Sequence, residues 1–130
     1  MDLVGEFRSA GRALFSLGLV RGTEGNLSVF DGTTIWITRA GAVLNDLSAD
    51  ALVEGTLADE LPGASSDLEV HRSAYRLRGP GAFVHAHPPG TVPEGGGEPG
   101  EHGIYVFSGS LQEAAEDAVR QARAYQGVDR

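Results

Sequence analysis

The chain has 130 residues, a formal net charge of −8 and no cysteine. This length favours one domain over residues 1–130, and the acidic balance argues against nucleic acid and anionic membranes as partners. No apolar run is long enough to span a membrane, and the first residues lack the profile of a signal peptide, which predicts a cytoplasmic protein. All ten basic residues are arginine. Thiolate and lysine Schiff-base chemistry are therefore both excluded.

The first half of the chain predicts a helix, a hairpin and a further strand. Apolar residues at steps of three and four between Leu3 and Leu17 form one stripe of an amphipathic helix, which two glycines end. Asp31-Gly32 stands between "LSVF" and "TTIWIT", the usual signal for a two-residue hairpin turn. A helical turn near Ser48 and a strand over residues 52–57 follow.

The second half also alternates helices and strands. Ser66 stands three residues before Glu69 and predicts the start of a helix through "SDLEVHRSAYRLR", in which His71 is a packing or surface residue. A strand through "FVHA", a Gly/Pro/Glu-rich loop over residues 88–101 and a strand through "IYVF" come next. The last helix starts at Ser110 with another capping box. This order predicts an α/β layered domain, with a mostly antiparallel central sheet flanked by helices.

Two histidines in "FVHAHPPG" predict a metal site. Alternate side chains of a strand share a face, so His85 and His87 point the same way. His102, in "GEHG", can supply a third imidazole and leave coordination positions open, as in catalytic zinc centres. The alternative is that one histidine of the pair is a core residue and the other lies at the edge of a loop. His102 is then a solvated loop residue.

The segment "GASSDLE" is a candidate anion site. Helix N-termini present unpaired N–H groups and a partial positive charge, and Ser65 and Ser66 add hydroxyl donors there. A capping box, with Asp67 in the first turn, explains the same residues structurally. The turn "EGNLS", with Gly25 and Asn26, offers exposed amides in a similar way, or it is only a turn.

Five segments in order resemble the class II aldolase/adducin family, a metal-dependent group that includes fuculose phosphate aldolase, rhamnulose phosphate aldolase and ribulose phosphate 4-epimerase. They are "GTEGNLSVFDGTTIWITRAG", "LSADALVEG", "PGASSDLEVHRSAYRLR", "AFVHAHPP" and "EHGIYVFSGSLQEAAE". The resemblance covers nearly the whole chain. It implies a zinc-dependent homotetramer that acts on a small sugar phosphate by reversible aldol cleavage through a metal-stabilised enediolate. By position it implies zinc ligands at His85, His87 and His102, phosphate-binding residues at Asn26, Gly41, Ser65 and Ser66, and a proton-transferring acid at Asp67.

Three departures from the family pattern predict weak turnover at most. Ala40 replaces a hydroxyl residue that usually precedes the phosphate-loop glycine. Asp67 is one methylene shorter than the usual glutamate, and proton transfer needs heavy atoms within roughly 3 Å. The loop over residues 88–101 is much shorter than in the family, so less of the wall of the site is present.

Other readings stay open. A shortened site also suits a family member that is not catalytic and binds metal or assembles with other chains, and the same residues suit a sugar-phosphate 4-epimerase. A cupin-like metal protein is the third alternative, because "HAH", Glu94 and "PGEH" loosely imitate a cupin's ligand set. Cupins are all-β barrels, however, and both ends of this chain predict helices.

Overall fold

The computed structural model describes residues 2–88 and 103–127, with side chains to residue 123. The helices are α1, Leu3–Ser16; α2, Leu68–Arg78; and α3, Leu111–Gly127. The strands are β1, Asn26–Phe30; β2, Ile35–Thr38; β3, Leu52–Gly55; β4, Gly81–Ala86; and β5, Ile104–Ser108. Two short 3-10 turns, Leu44–Asp46 and Ala49–Ala51, connect β2 to β3.

The five strands form one antiparallel sheet in the order β3-β2-β1-β4-β5. Helices α1 and α3 pack against one face and α2 against the other. The predicted α/β layered fold is therefore confirmed. The two halves of the central sheet meet where β1 pairs with β4.

The alternation of side chains along β4 divides the core between the two faces of the sheet. Val84 and Ala86 join the cluster formed by α1 and α3, whereas Phe83 joins the cluster around Tyr75 of α2. Full burial of a side chain such as Val84 or Phe83 stabilises the fold by roughly 1.5–3 kcal/mol. None of the helices in the described part of the chain is both long enough and apolar enough to cross a membrane.

The predicted hairpin is present, but its turn is longer than the sequence indicated. The last pair of the ladder joins Phe30 to Ile35, so four residues connect the strands. Asp31 N donates to Thr34 O at 3.1 Å, and the Asp31 carboxylate accepts from the backbone N–H groups of Thr33 and Thr34. The Asp31 side chain therefore organises the turn, which centres one residue later than predicted.

The capping box predicted at the start of α2 is wrong. The residue that precedes the helix is Asp67, and it makes no side-chain capping bond. Glu69 pairs instead with Arg72 and Arg76 on the same helix. The cap predicted for α3 is formed by the Ser110 side chain: Glu113 N donates to the Ser110 hydroxyl at 3.2 Å, and this hydroxyl donates to the Glu113 carboxylate at 3.3 Å.

The antiparallel order brings four chain segments to one end of the sheet. Asn26, at the start of β1, pairs with His85, near the end of β4. His85 also pairs with Tyr105, near the start of β5. The chain leaving β2 reaches the same end, where Ser65 N donates to Thr38 O at 3.0 Å. Residues that are distant in sequence therefore meet beside the N-terminus of α2.

Candidate active site

A cavity of about 410 Å³ opens at this end of the sheet. All of the predicted site residues except His102 line this cavity: Asn26, Gly41, Ser65, Ser66, Asp67, His85 and His87. Arg39, Ala40 and Tyr105 line it as well. His102 lies outside the described residues, and so do residues 89–101 of the predicted loop. The predicted metal and anion corners are thus two sides of one cavity.

The imidazole rings of His85 and His87 lie side by side, with their centroids 4.5 Å apart. His87 follows the last residue of β4, and its backbone N–H donates to Leu19 O at 2.7 Å, which ties the end of the strand to the loop after α1. Tyr105 stacks on His85 with centroids 4.1 Å apart and planes 9° apart. This stacking restricts the rotation of the His85 ring.

The Asp67 carboxylate connects the histidines to the anion corner. Its Oδ2 accepts from Asn26 Nδ2 at 2.9 Å and lies 2.6 Å from His85 Nδ1. Burial works to raise the pKa of Asp67, but the Asn26 hydrogen bond and the interaction with His85 outweigh it, so the pKa lies below its ordinary value. An ionised carboxylate at the edge of the cavity can accept a proton.

Backbone and hydroxyl groups form the predicted anion corner. Gly41 has φ +80°, a conformation that favours glycine, and a Cβ there would meet no described atom within 4 Å. Ser65 is buried and its hydroxyl accepts from Asp67 N at 3.2 Å, whereas Ser66 is exposed. Arg39 borders the cavity with its Nε–H donating to Asp50 O at 2.6 Å. The corner therefore combines small polar groups with a cation.

His71 lies beneath the cavity in a buried polar cluster. Its Nε2 is 2.5 Å from Asn26 Oδ1 and its Nδ1 is 2.5 Å from Ser28 Oγ, which in turn is 2.6 Å from the Tyr75 hydroxyl. Burial lowers the pKa of His71 to about 3, against opposition from the Asp67 charge. Burial also raises the pKa of the Tyr75 hydroxyl. Both groups are therefore neutral near pH 7.

The depressed pKa of His71 predicts that the protein loses stability in weak acid. Between its folded pKa of about 3 and its ordinary value of 6.5, the unfolded chain binds one more proton at this residue. The free energy of unfolding should therefore fall as the pH drops, by about 1 kcal/mol per pH unit on average between pH 7 and pH 5. Urea denaturation at pH 7 and pH 5 measures this slope. The His71→Gln variant should lose that part of the slope, and equal slopes in both proteins would contradict the assignment.

Three residues of the site were missed by sequence reasoning. The sequence predicts a packing or surface role for His71, which is fully buried, but nothing in its sequence neighbourhood indicates Asn26 or Ser28 as partners. Tyr105 belongs to an ordinary strand sequence, and only its pairing with His85 brings it to the cavity. Arg39 precedes Ala40, which stands where the family usually has a hydroxyl residue. This position next to the predicted phosphate loop is a signal that identifies Arg39 as a candidate.

The residues present fit a divalent metal ion. Two imidazoles at one cavity, those of His85 and His87, are ligands of a type that zinc prefers. Over residues 2–88 and 103–127, no group of three His, Cys, Asp or Glu side chains has metal-binding geometry. The third ligand implied by the resemblance, His102, precedes Gly103, and a Cβ on Gly103 would lie 3.0 Å from His85 Nε2. The chain next to the expected third ligand therefore reaches His85.

The comparison with protein families identifies the chain. The family described as Class II Aldolase and Adducin N-terminal domain matches residues 6–93. The chain belongs to this family, as the order of its motifs predicts.

Relatives of this chain differ in what their names describe. A probable bifunctional methylthioribose-1-phosphate isomerase/methylthioribulose-1-phosphate dehydratase from Nocardia farcinica is 39% identical over 84 residues, which are 60% of this chain and 15% of that protein. L-fuculose-1-phosphate aldolase from Thermus thermophilus is 42% identical with a TM-score of 0.62, over 67% of this chain and 45% of that one. The chain thus spans less than half the length of either relative.

The structure of YgbL from Klebsiella pneumoniae shows the fold over most of the chain. It has a TM-score of 0.81 at 23% identity and covers 97% of this chain and 87% of that one. The sheet and helices described above are therefore those of a class II aldolase fold, which confirms the predicted fold class.

Proposed function

We propose that this chain is a metal-dependent lyase that acts on a small sugar phosphate by reversible aldol cleavage. The observation that supports it best is the contact of 2.6 Å between Asp67 and His85 in the cavity that Ser65 and Ser66 also line. A candidate proton acceptor, candidate metal ligands and an anion corner therefore share one small volume. Family membership supports the lyase class.

Within this proposal, Asp67 moves the proton. A divalent ion such as zinc, held by His85, His87 and the expected ligand His102, would supply a Lewis acid that polarises the substrate carbonyl. The Asp67 carboxylate accepts the proton of the hydroxyl on the second carbon from the substrate carbonyl. The bond between that carbon and the carbon next to the carbonyl then breaks. The deprotonated oxygen becomes the carbonyl of one fragment, and the electron pair of the broken bond is shared between the carbon next to the substrate carbonyl and the carbonyl oxygen. Asp67 returns the proton to that carbon, which completes the atom balance.

The anion corner holds the substrate phosphate in this proposal. The hydroxyls of Ser65 and Ser66 and the backbone of Gly41 offer donors, as the resemblance implies for these positions and for Asn26. Arg39 supplies positive charge beside Ala40, where the usual hydroxyl is absent. Anchoring the far end of the substrate converts binding energy into alignment of the reacting atoms.

The role of Arg39 predicts a specific defect in substrate affinity. Arg39→Gln should raise KM for a sugar phosphate about 10- to 150-fold, since a hydrogen bond to a charged group contributes about 1.5–3 kcal/mol. The value of kcat should change little. The control is Arg12→Gln, which removes an exposed arginine of α1 and should leave KM unchanged. Equal KM values in the two variants would place the phosphate elsewhere.

Dehydration is the second candidate reaction, favoured by the relative from Nocardia farcinica, whose name includes a dehydratase. Both reactions need a proton acceptor near a polarised carbonyl, which Asp67 would be in either case. Mass spectrometry of the products distinguishes them, because aldol cleavage yields two fragments and dehydration yields one product lighter by a water. A product of unchanged mass would indicate the epimerase. Absence of turnover with metal and phosphate bound would indicate a non-catalytic binding member.

The homotetramer implied by the resemblance belongs to the same proposal. A short loop after His87 leaves less wall around the cavity, and a neighbouring subunit can supply the rest. Light scattering at micromolar concentration should therefore give an oligomer, and a monomer would contradict this part of the proposal. The cytoplasmic location and the extent of a single domain over residues 1–130 stay predictions from the sequence.

A further inference from the structure

A continuous chain of hydrogen bonds, buried except at its last member, connects the body of α2 to the cavity. It runs from Tyr75 through Ser28, His71 and Asn26 to Asp67, with heavy-atom distances of 2.6, 2.5, 2.5 and 2.9 Å in that order. The first four side chains are buried. Polar groups in such surroundings are costly unless every donor meets an acceptor.

The chemistry of Asn26 sets the direction of this chain. Its amide nitrogen only donates, and it faces Asp67, which as a carboxylate only accepts. The Asn26 oxygen therefore faces His71, so His71 Nε2 carries the hydrogen. The opposite amide orientation would place two acceptors, Asn26 Oδ1 and the Asp67 carboxylate, against each other. Only one orientation therefore satisfies the contact with Asp67.

The remaining bonds follow from the tautomer of His71. A neutral imidazole that donates from Nε2 accepts at Nδ1. The hydroxyl of Ser28 therefore donates to His71, and the Ser28 oxygen accepts from the Tyr75 hydroxyl. Each member gives one hydrogen toward the cavity, and Asp67 receives the last one.

We infer that His71 is a positioning residue for Asp67, and this inference rests on the proposed function of Asp67 as the group that moves the proton. His71 holds the Asn26 amide in the orientation that donates to Asp67, and Asn26 then keeps the carboxylate at its place beside His85. Removing the His71 donor frees the amide to rotate, and the carboxylate is then oriented only by its contact with His85. Groups that orient a reacting residue in this way are worth about 10- to 100-fold in activity.

The chain offers a matched pair of variants at this residue. In His71→Gln, the terminal amide group reaches the place of Nε2 and keeps a donor toward Asn26, but the bond to Ser28 is lost. In His71→Asn, the shorter amide reaches the place of Nδ1 and keeps a partner for Ser28, but the bond to Asn26 is lost. Both variants remove the same imidazole from the same buried place. A merely structural role would make them equally defective.

The test measures kcat and KM for a sugar phosphate with zinc added. His71→Asn should lower kcat by about 10- to 100-fold with little change in KM, whereas His71→Gln should stay within about threefold of the parent. Similar kcat values in the two folded variants would overturn the inference. Tyr75→Phe, which removes only the far end of the chain, should also preserve most of kcat, and a loss as large as that of His71→Asn would contradict the assignment to His71.

A second measurement keeps the inference testable if the parent has no turnover or if a variant does not fold. Hydrogen exchange of the Asn26 side-chain amide, followed by NMR, should be slow in the parent and in Tyr75→Phe because the amide is buried and bonded to Asp67. In His71→Asn it should be faster. Rapid exchange in the parent would overturn the inference on its own. Slow exchange in a parent without turnover would instead count against the proposed function alone.

Discussion

The Asp67→Asn variant should turn over a sugar phosphate about 10²- to 10⁴-fold more slowly than the parent, the usual contribution of a positioned acid or base. Asparagine has the shape of aspartate, but its amide does not accept a proton near neutral pH. The pKa of Asp67 lies below its ordinary value because the bond from Asn26 and the interaction with His85 outweigh burial. The carboxylate is therefore ionised under assay conditions and available as a base.

Binding measurements separate this loss from a damaged site. Affinity for inorganic phosphate should change little, since the bond from Asp67 N to the Ser65 hydroxyl is made by the backbone and the Asn26 amide can still donate to the amide oxygen of an asparagine. The control is Asp46→Asn, the same change at an exposed carboxylate, which should leave kcat unaltered. Equal turnover in Asp67→Asn and the parent would remove Asp67 from the reaction.

The Asp67→Glu variant tests the shorter carboxylate directly. A glutamate extends further into the cavity from the same backbone position, so it should raise turnover or reveal it if Asp67 is a retracted acid. In the parent, Asp67 Oδ2 lies 2.6 Å from His85 Nδ1. Unchanged turnover together with intact phosphate and metal binding would favour a binding protein.

The sequence predicts the elements of this fold well because each carries a local signal. The spacing of apolar residues predicts α1, and the Asp31-Gly32 pair predicts the hairpin, whose turn covers residues 31–34. The hairpin turn was placed one residue early, since the dipeptide signal does not report the two bonds that the Asp31 carboxylate accepts. Local patterns therefore predict which element forms better than they predict its last residue.

The beginning of α2 shows where such patterns fail. Ser66 and Glu69 have the spacing of a capping box, yet the Glu69 carboxylate forms ion pairs with Arg72 and Arg76 further along the helix. An i,i+3 charge pair competes with the cap for the same carboxylate. The spacing alone holds no information about which partner is preferred.

The candidate site was largely predictable as a set of residues but not as a network. His85 and His87 share a face because of the strand period, and the resemblance adds the anion corner. The bond between Asn26 and Asp67 joins residues that are 41 positions apart, and the one between His71 and Asn26 joins residues 45 apart. Such pairs depend on the register of β1 against β4 and on the packing of α2, which no local window contains.

Replacing both His85 and His87 with alanine should abolish zinc binding, in contrast to the parent, which we expect to bind up to one zinc ion per chain. The two imidazoles lie with their centroids 4.5 Å apart at the cavity, and the chain offers no thiolate in their place. Zinc at a hundredfold excess over its Kd should stabilise the parent by about 2.7 kcal/mol, because only the folded chain presents the site. The double variant should gain no such stability.

Zinc content after dialysis and the shift of the unfolding midpoint on adding zinc both measure this effect without an activity assay. The control is His71→Gln, which removes a histidine from outside the cavity lining and should retain zinc. A chelator should lower the midpoint of the parent and of this control, but not that of the double variant. Equal zinc affinity in the double variant and the parent would place the metal elsewhere and remove the Lewis acid from the proposed reaction, because no other described pair of imidazoles borders the cavity.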